Sequence, residues 1–147
     1  MGDGDAIDTF GSELTQADGV ILFDGNCAFC RNVVGRLLRD CVGADLRVCS
    51  VRSARGDAAA RAIGGEPPYT FALLTRSRVH VGVDAYIQIL SLGSRWAWLG
   101  RIIAIVPPGL SEGFYRWVGT HRPLLSSLLG RRSHEAIPPG RYVAGGL

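Results

Sequence analysis

The chain has 147 residues, of which 47% are hydrophobic and 20% charged, with a formal net charge of +3. This is enough apolar material for one contiguous core and too little charge for a disordered chain. All sixteen basic residues are arginine, which excludes a P-loop lysine, a Schiff-base lysine and a lysine general base.

Residues 1–18 carry Asp3, Asp5, Asp8, Glu13 and Asp18 and no basic side chain. With their glycines they are expected to form a flexible acidic tail. The start of the chain lacks the basic and apolar regions of a secretory signal, and Ala6 breaks the myristoylation pattern, so a cytoplasmic location is expected. The basic excess is spread along the rest of the chain, apart from Arg131-Arg132, without an aromatic stripe. Nucleic acid is therefore not an expected partner.

Val20-Ile21-Leu22-Phe23, closed by Asp24-Gly25, reads as a strand buried on both faces. Val33, Val34, Leu37, Leu38 and Cys41 then recur at helical spacing, with Asn26 or Cys27 placed to cap the helix. Residues 45–51 alternate as a second strand, and an Ala-rich helix capped by Ser53 runs to Gly64-Gly65. Residues 69–75 and 78–83, joined at Arg76-Ser77, have the separation of an antiparallel hairpin, and Asp84 is placed to cap a helix over 85–92. The sum is a thioredoxin-like α/β order, β-α-β-α-β-β-α, with a mixed sheet.

Two further helices are expected at 96–106 and 111–120, packed onto the sheet so that their apolar residues are covered. The stretch 96–106 falls well short of the roughly 20 residues needed to span a bilayer. Residues 19–130 are expected to form one domain and 131–147 a flexible tail.

Cys27-Ala28-Phe29-Cys30 lies at a strand-turn-helix junction. The first thiol meets the amide groups and dipole of the helix N-terminus, which favour a thiolate, and the second sits one turn inward. Redox exchange, metal binding and a structural pair are the available readings. A structural zinc needs four ligands and would have to recruit Cys41 and Cys49, which the periodicity places in the core, so no metal is expected. His80, His121 and His134 show no ligand spacing. Asp24 serves the turn, or accepts the proton of Cys30 as that thiol attacks. A phosphatase reading, with Asp24 as nucleophile, lacks both the second aspartate, replaced by Asn26, and a lysine.

The run Leu22-Phe23-Asp24-Gly25-Asn26-Cys27-Ala28-Phe29-Cys30 resembles the signature of the DCC family of thiol-disulfide oxidoreductases, named for its Asp-Cys-Cys pattern. Asp84-Ala85, Ile105-Val106-Pro107 and the segment from Tyr115-Arg116-Trp117-Val118 to Arg122 are similar to its later landmarks. Asn26 departs from the acidic residue common before the first cysteine. The resemblance implies a thioredoxin-like fold and disulfide exchange without a bound cofactor. Asp24, Cys27 and Cys30 are the expected catalytic residues, with Cys27 the nucleophile and Cys30 the resolving thiol. Asn26, Phe29 and Pro68 are the expected substrate-binding residues, with Pro68 cis and facing the dithiol. The partners expected are a disulfide-containing protein or small molecule and an electron donor. The alternative is a non-catalytic module that docks a protein or membrane surface through Trp96, Trp98, Phe114 and Trp117.

Overall fold

The computed structural model describes residues 2–41, 43–65, 70–93, 95–129 and 137–146. Its sheet grows outward from the first apolar run. Strand β1 (Gly19–Phe23) has apolar side chains on both faces, and all five of its residues are buried. Strand β2 (Leu46–Ser50) pairs with it in parallel, a connection that requires the helical crossover Ala28–Asp40. Strand β3 (Ala72–Leu74) joins the other side of β1 antiparallel, and β4 (Val79–Val81) pairs antiparallel with β3. The order β2-β1-β3-β4 is the thioredoxin-like mixed sheet expected from the sequence, with the first two strands parallel and the last two a hairpin.

The helices in chain order are α1 (Asp3–Thr9), α2 (Gly11–Gln16), α3 (Ala28–Asp40), α4 (Ala54–Ala62), α5 (Val83–Ser91), α6 (Ala97–Ile105), α7 (Pro108–Thr120) and α8 (Arg122–Leu129). On one face of the sheet, Val34, Leu37 and Leu38 of α3 and Ile89 of α5 close over Ile21, Phe23, Val48 and Leu73. On the other, Ala59 and Ala60 of α4 join Ala6, Phe10 and Leu14 over Val20, Leu22 and Leu74. Ser53 caps α4 as expected, its hydroxyl accepting the Gly56 N–H at 3.1 Å. Gly56 is required by close approach, since a Cβ there would lie 2.0 Å from the carbonyl oxygen of Ser50.

The structure replaces the flexible tail expected at 1–18 with α1 and α2. Ala6, Phe10 and Leu14 recur every four residues and are almost completely buried, while the acidic side chains occupy other positions. Arg55 locks the segment in place. Its Nη1 donates to Glu13 Oε1 at 2.7 Å, its Nη2 to the Thr9 carbonyl at 2.7 Å, and its guanidinium lies 4.8 Å from the Phe10 ring centroid.

The far end of the chain is corrected in the same way. Residues 137–146, part of the expected flexible tail, lie along β2: Val143 N–H donates to the Val48 carbonyl at 3.0 Å and Ser50 N–H to the Gly146 carbonyl at 2.7 Å. An otherwise open sheet edge finds its hydrogen bonds there.

Among the described residues three α-helices, rather than the two expected, follow α5. Pro108 and Pro123 fall in the first turns of α7 and α8, where a missing N–H costs no helical hydrogen bond, so α7 begins before residue 111 and α8 follows it. Asp84 is not the cap of α5; Gly82 is, and Asp84 Oδ2 instead meets His80 Nδ1 at 2.5 Å. α6 and α7 pack on α5, and α8 on α3. The covering expected for their apolar residues is incomplete, as Trp98, Leu110, Phe114, Trp117 and Leu128 are all more than half exposed. Among the described residues no helix is long and apolar enough to cross a membrane.

Candidate active site

The turn from β1 into α3 is built by Asp24. Its Oδ1 accepts the Asn26 N–H at 3.1 Å, and its carbonyl accepts the Cys27 N–H at 3.2 Å. Gly25 runs against β2, donating its N–H to Ser50 Oγ at 3.2 Å, and a Cβ at Gly25 would stand 2.6 Å from that oxygen. The chain thus reaches Cys27 in the N-cap position of α3, where the cysteine sulfur, Sγ, accepts the Cys30 N–H at 3.3 Å. Arg31 Nη1 closes the turn from outside by donating to the Gly25 carbonyl at 2.7 Å.

The two thiols differ in environment. Cys27 is half-buried and Cys30 buried. The Cys30 thiol donates a hydrogen bond to Cys27, and with the Cys30 N–H and the nearby Arg122 charge it pulls the Cys27 pKa down from the usual thiol value to about 6. The same thiol–thiol hydrogen bond, together with burial, pushes Cys30 upward. Only one member of the pair is readily a thiolate at neutral pH.

Asp24 is 8% exposed and is held by Arg52, whose Nε donates to Oδ1 at 2.6 Å and Nη2 to Oδ2 at 3.3 Å. Its negative charge opposes ionisation of both cysteines. Arg52 was not among the residues expected at the site. The signal for it is the parallel register, because Phe23 lies opposite Ser50, so the residues just past the two strand ends converge.

Arg122, at the first position of α8, favours both thiolates. It lines a cleft of about 510 Å³ between the start of α3 and the helices α5 to α8. Asp24, Phe29, Cys30, Thr70, Tyr86 and Phe114 are among its walls, and Phe71 stacks on Tyr86 with ring centroids 4.2 Å apart. Arg122 entered the expectations only as the end of a family-like segment, with no role at the dithiol.

Asp24, Cys27 and Cys30 are therefore brought together at one junction. Phe29 lines the adjoining cleft and Asn26 is exposed at the turn. Pro68, and with it the expected cis bond, lies outside the described residues. Cys41 and Cys49 are buried on opposite faces of the sheet, Cys41 against the Ile89 carbonyl and Cys49 against the Ser53 hydroxyl. Among the described residues no group of three or more His, Cys, Asp or Glu side chains is gathered to hold a metal.

A family model described as DCC1-like thiol-disulfide oxidoreductase matches residues 21–128. No curated protein and no solved structure matches the chain.

Proposed function

The chain belongs to the DCC1-like thiol-disulfide oxidoreductase family, and from that premise we propose that it reduces disulfides by exchange through Cys27 and Cys30. The observation that carries the reading is the unequal pair, a thiolate-forming Cys27 at the helix cap and a buried, protonated Cys30 behind it.

The Cys27 thiolate attacks one sulfur of the substrate, breaking the substrate S–S bond and forming a mixed disulfide as the first substrate thiolate leaves and takes up a proton. Cys30 then loses its proton and attacks the Cys27 sulfur. The mixed disulfide breaks, the second substrate thiol is released, and the Cys27–Cys30 disulfide closes. Two electrons pass from the protein dithiol to the substrate, and a thiol donor restores them. Asp24 is the proposed acceptor of the Cys30 proton, positioned by Arg52. Asn26 and Phe29 flank the attacking sulfur, and Pro68 is assigned to the same substrate surface on the family resemblance alone. The reducing cytoplasm is the proposed setting.

An insulin reduction assay with dithiothreitol as donor tests the reading. Turnover above the uncatalysed rate is expected for the unaltered protein and for neither Cys27→Ser nor Cys30→Ser; equal turnover by Cys27→Ser contradicts it.

A second reading, compatible with the first, is favoured by the exposed face of α6 to α8. Trp98, Phe114 and Trp117 are each more than half exposed, and Arg95, Arg101 and Arg116 stand exposed on the same segment against Glu112. Aromatic and arginine side chains in this combination suit an anionic lipid surface, where each arginine contributes about 1 kcal/mol.

A further inference from the structure

The cleft beside the dithiol has the size of a small-molecule site, which commonly holds about 300 to 1,000 Å³, at about 510 Å³. Its walls are mostly apolar, with Phe29, Val33, Phe71 and Ile103 inside. Val106, Leu110 and Phe114 stand at an open side, 38%, 68% and 67% exposed. One positive side chain, Arg122, interrupts this lining. Arg122 acts on the nearby Tyr115 hydroxyl, and no carboxylate is paired with it among the described residues. Asp24, the acidic residue of the lining, is already held by Arg52.

We propose that this cleft binds the non-reacting part of the substrate, an apolar body of aromatic size bearing a carboxylate, with the carboxylate on Arg122. The inference rests on the disulfide-exchange reading and gives it a substrate class: low-molecular-weight organic disulfides that are apolar and anionic. Such a disulfide takes two electrons from Cys27 and Cys30 and leaves as two thiols, as in the exchange above. Arg122 then has two effects, holding the substrate anion and favouring the Cys27 thiolate.

The two effects separate when turnover of dithiobis(nitrobenzoate), uncharged dithiodipyridine and hydroxyethyl disulfide is compared, each corrected for its reactivity with dithiothreitol. A weaker thiolate slows all three together; loss of the anion contact slows the carboxylate alone. Arg122→Gln is expected to lower the kcat/KM ratio of dithiobis(nitrobenzoate) to dithiodipyridine by about tenfold, the loss of a charge-assisted hydrogen bond. Gly119 lines the cleft, and a Cβ there meets nothing within 4 Å. Gly119→Leu is therefore expected to slow both aromatic disulfides more than hydroxyethyl disulfide.

A binding measurement removes the chemistry. Calorimetry with naphthoate on the Cys27→Ser, Cys30→Ser double variant is expected to show binding that Arg122→Gln abolishes. An unchanged ratio in Arg122→Gln, or no naphthoate binding, overturns the proposal. Naphthoate binding without turnover of any disulfide would leave the cleft assignment standing and overturn the exchange reading instead.

Discussion

Cys30 donates its backbone N–H to the sulfur of Cys27 at 3.3 Å, and its side chain is the largest influence lowering the Cys27 pKa. One residue thereby stabilises its neighbour's thiolate while its own proton is retained. The helix supplies the N–H by placing Cys27 at the N-cap, and the two-residue spacer brings the Cys30 thiol one turn behind it.

The pH dependence of alkylation follows. Cys27 should react with iodoacetamide with a midpoint near its pKa of about 6, well below the value of about 8.5 for a free thiol. Cys30→Ala removes the thiol donor and keeps the N–H, so the midpoint should rise toward the ordinary value. A midpoint that stays put in Cys30→Ala shows that the thiol hydrogen bond is not the principal cause.

Asp24→Asn acts in two directions. Removing a charge that opposes thiolate formation should lower the alkylation midpoint of Cys27. Removing the proton acceptor should slow resolution of the mixed disulfide by about 100-fold or more, the scale of general base catalysis. Rapid-quench kinetics separates the steps. Resolution at the unaltered rate would reduce Asp24 to a turn residue held by Arg52.

Phe10, completely buried under α4, makes the first helices part of the core. Phe10→Ala should cost about 3–5 kcal/mol in chemical denaturation, whereas a surface-tail substitution would cost almost nothing.

The segment also carries an acid-sensitive contact. Arg55 holds the Glu13 pKa at about 2, below the ordinary 4.5 of a glutamate side chain. Because the folded-state pKa is depressed, the contact's contribution is fully present above the unfolded value and is lost as pH falls from about 4.5 through 2. Glu13→Gln should be less stable than the unaltered protein at neutral pH, and the gap should close across that window. A gap independent of pH would show that the carboxylate charge is not what matters.

These two positions also show what could be read in advance. The strand order and the dithiol junction were legible because each rests on local patterns: a continuous apolar run, a turn, and a cysteine pair opening a helix. Ala6, Phe10 and Leu14 carried a helical period too, but the glycines and aspartates between them concealed it. Arg52 and Arg122 depend on contacts 28 and about 95 residues away in sequence; no local pattern points from either arginine to Cys27. Pro108 and Pro123 left the starts of α7 and α8 unmarked, because proline opens helices as well as following their ends.

The exposed face of α6 to α8 makes a separate prediction. Sedimentation with phosphatidylglycerol vesicles should pull down the full chain, and phosphatidylcholine vesicles should not. Trp117→Ser, at a position 53% exposed, should weaken the binding without lowering the melting temperature. Equal binding to both vesicle types would refute the arginine contribution, and binding to neither would remove the lipid reading.

The central claim is tested most directly by trapping the mixed disulfide. Cys27→Ser and Cys30→Ser proteins, each exposed to a disulfide substrate, are digested without reductant and mapped by mass spectrometry. The geometry at the α3 cap predicts a persistent adduct on Cys27 in Cys30→Ser, where the nucleophile remains and the resolving thiol is gone. An adduct on Cys30 in Cys27→Ser, with none on Cys27 in Cys30→Ser, would contradict it.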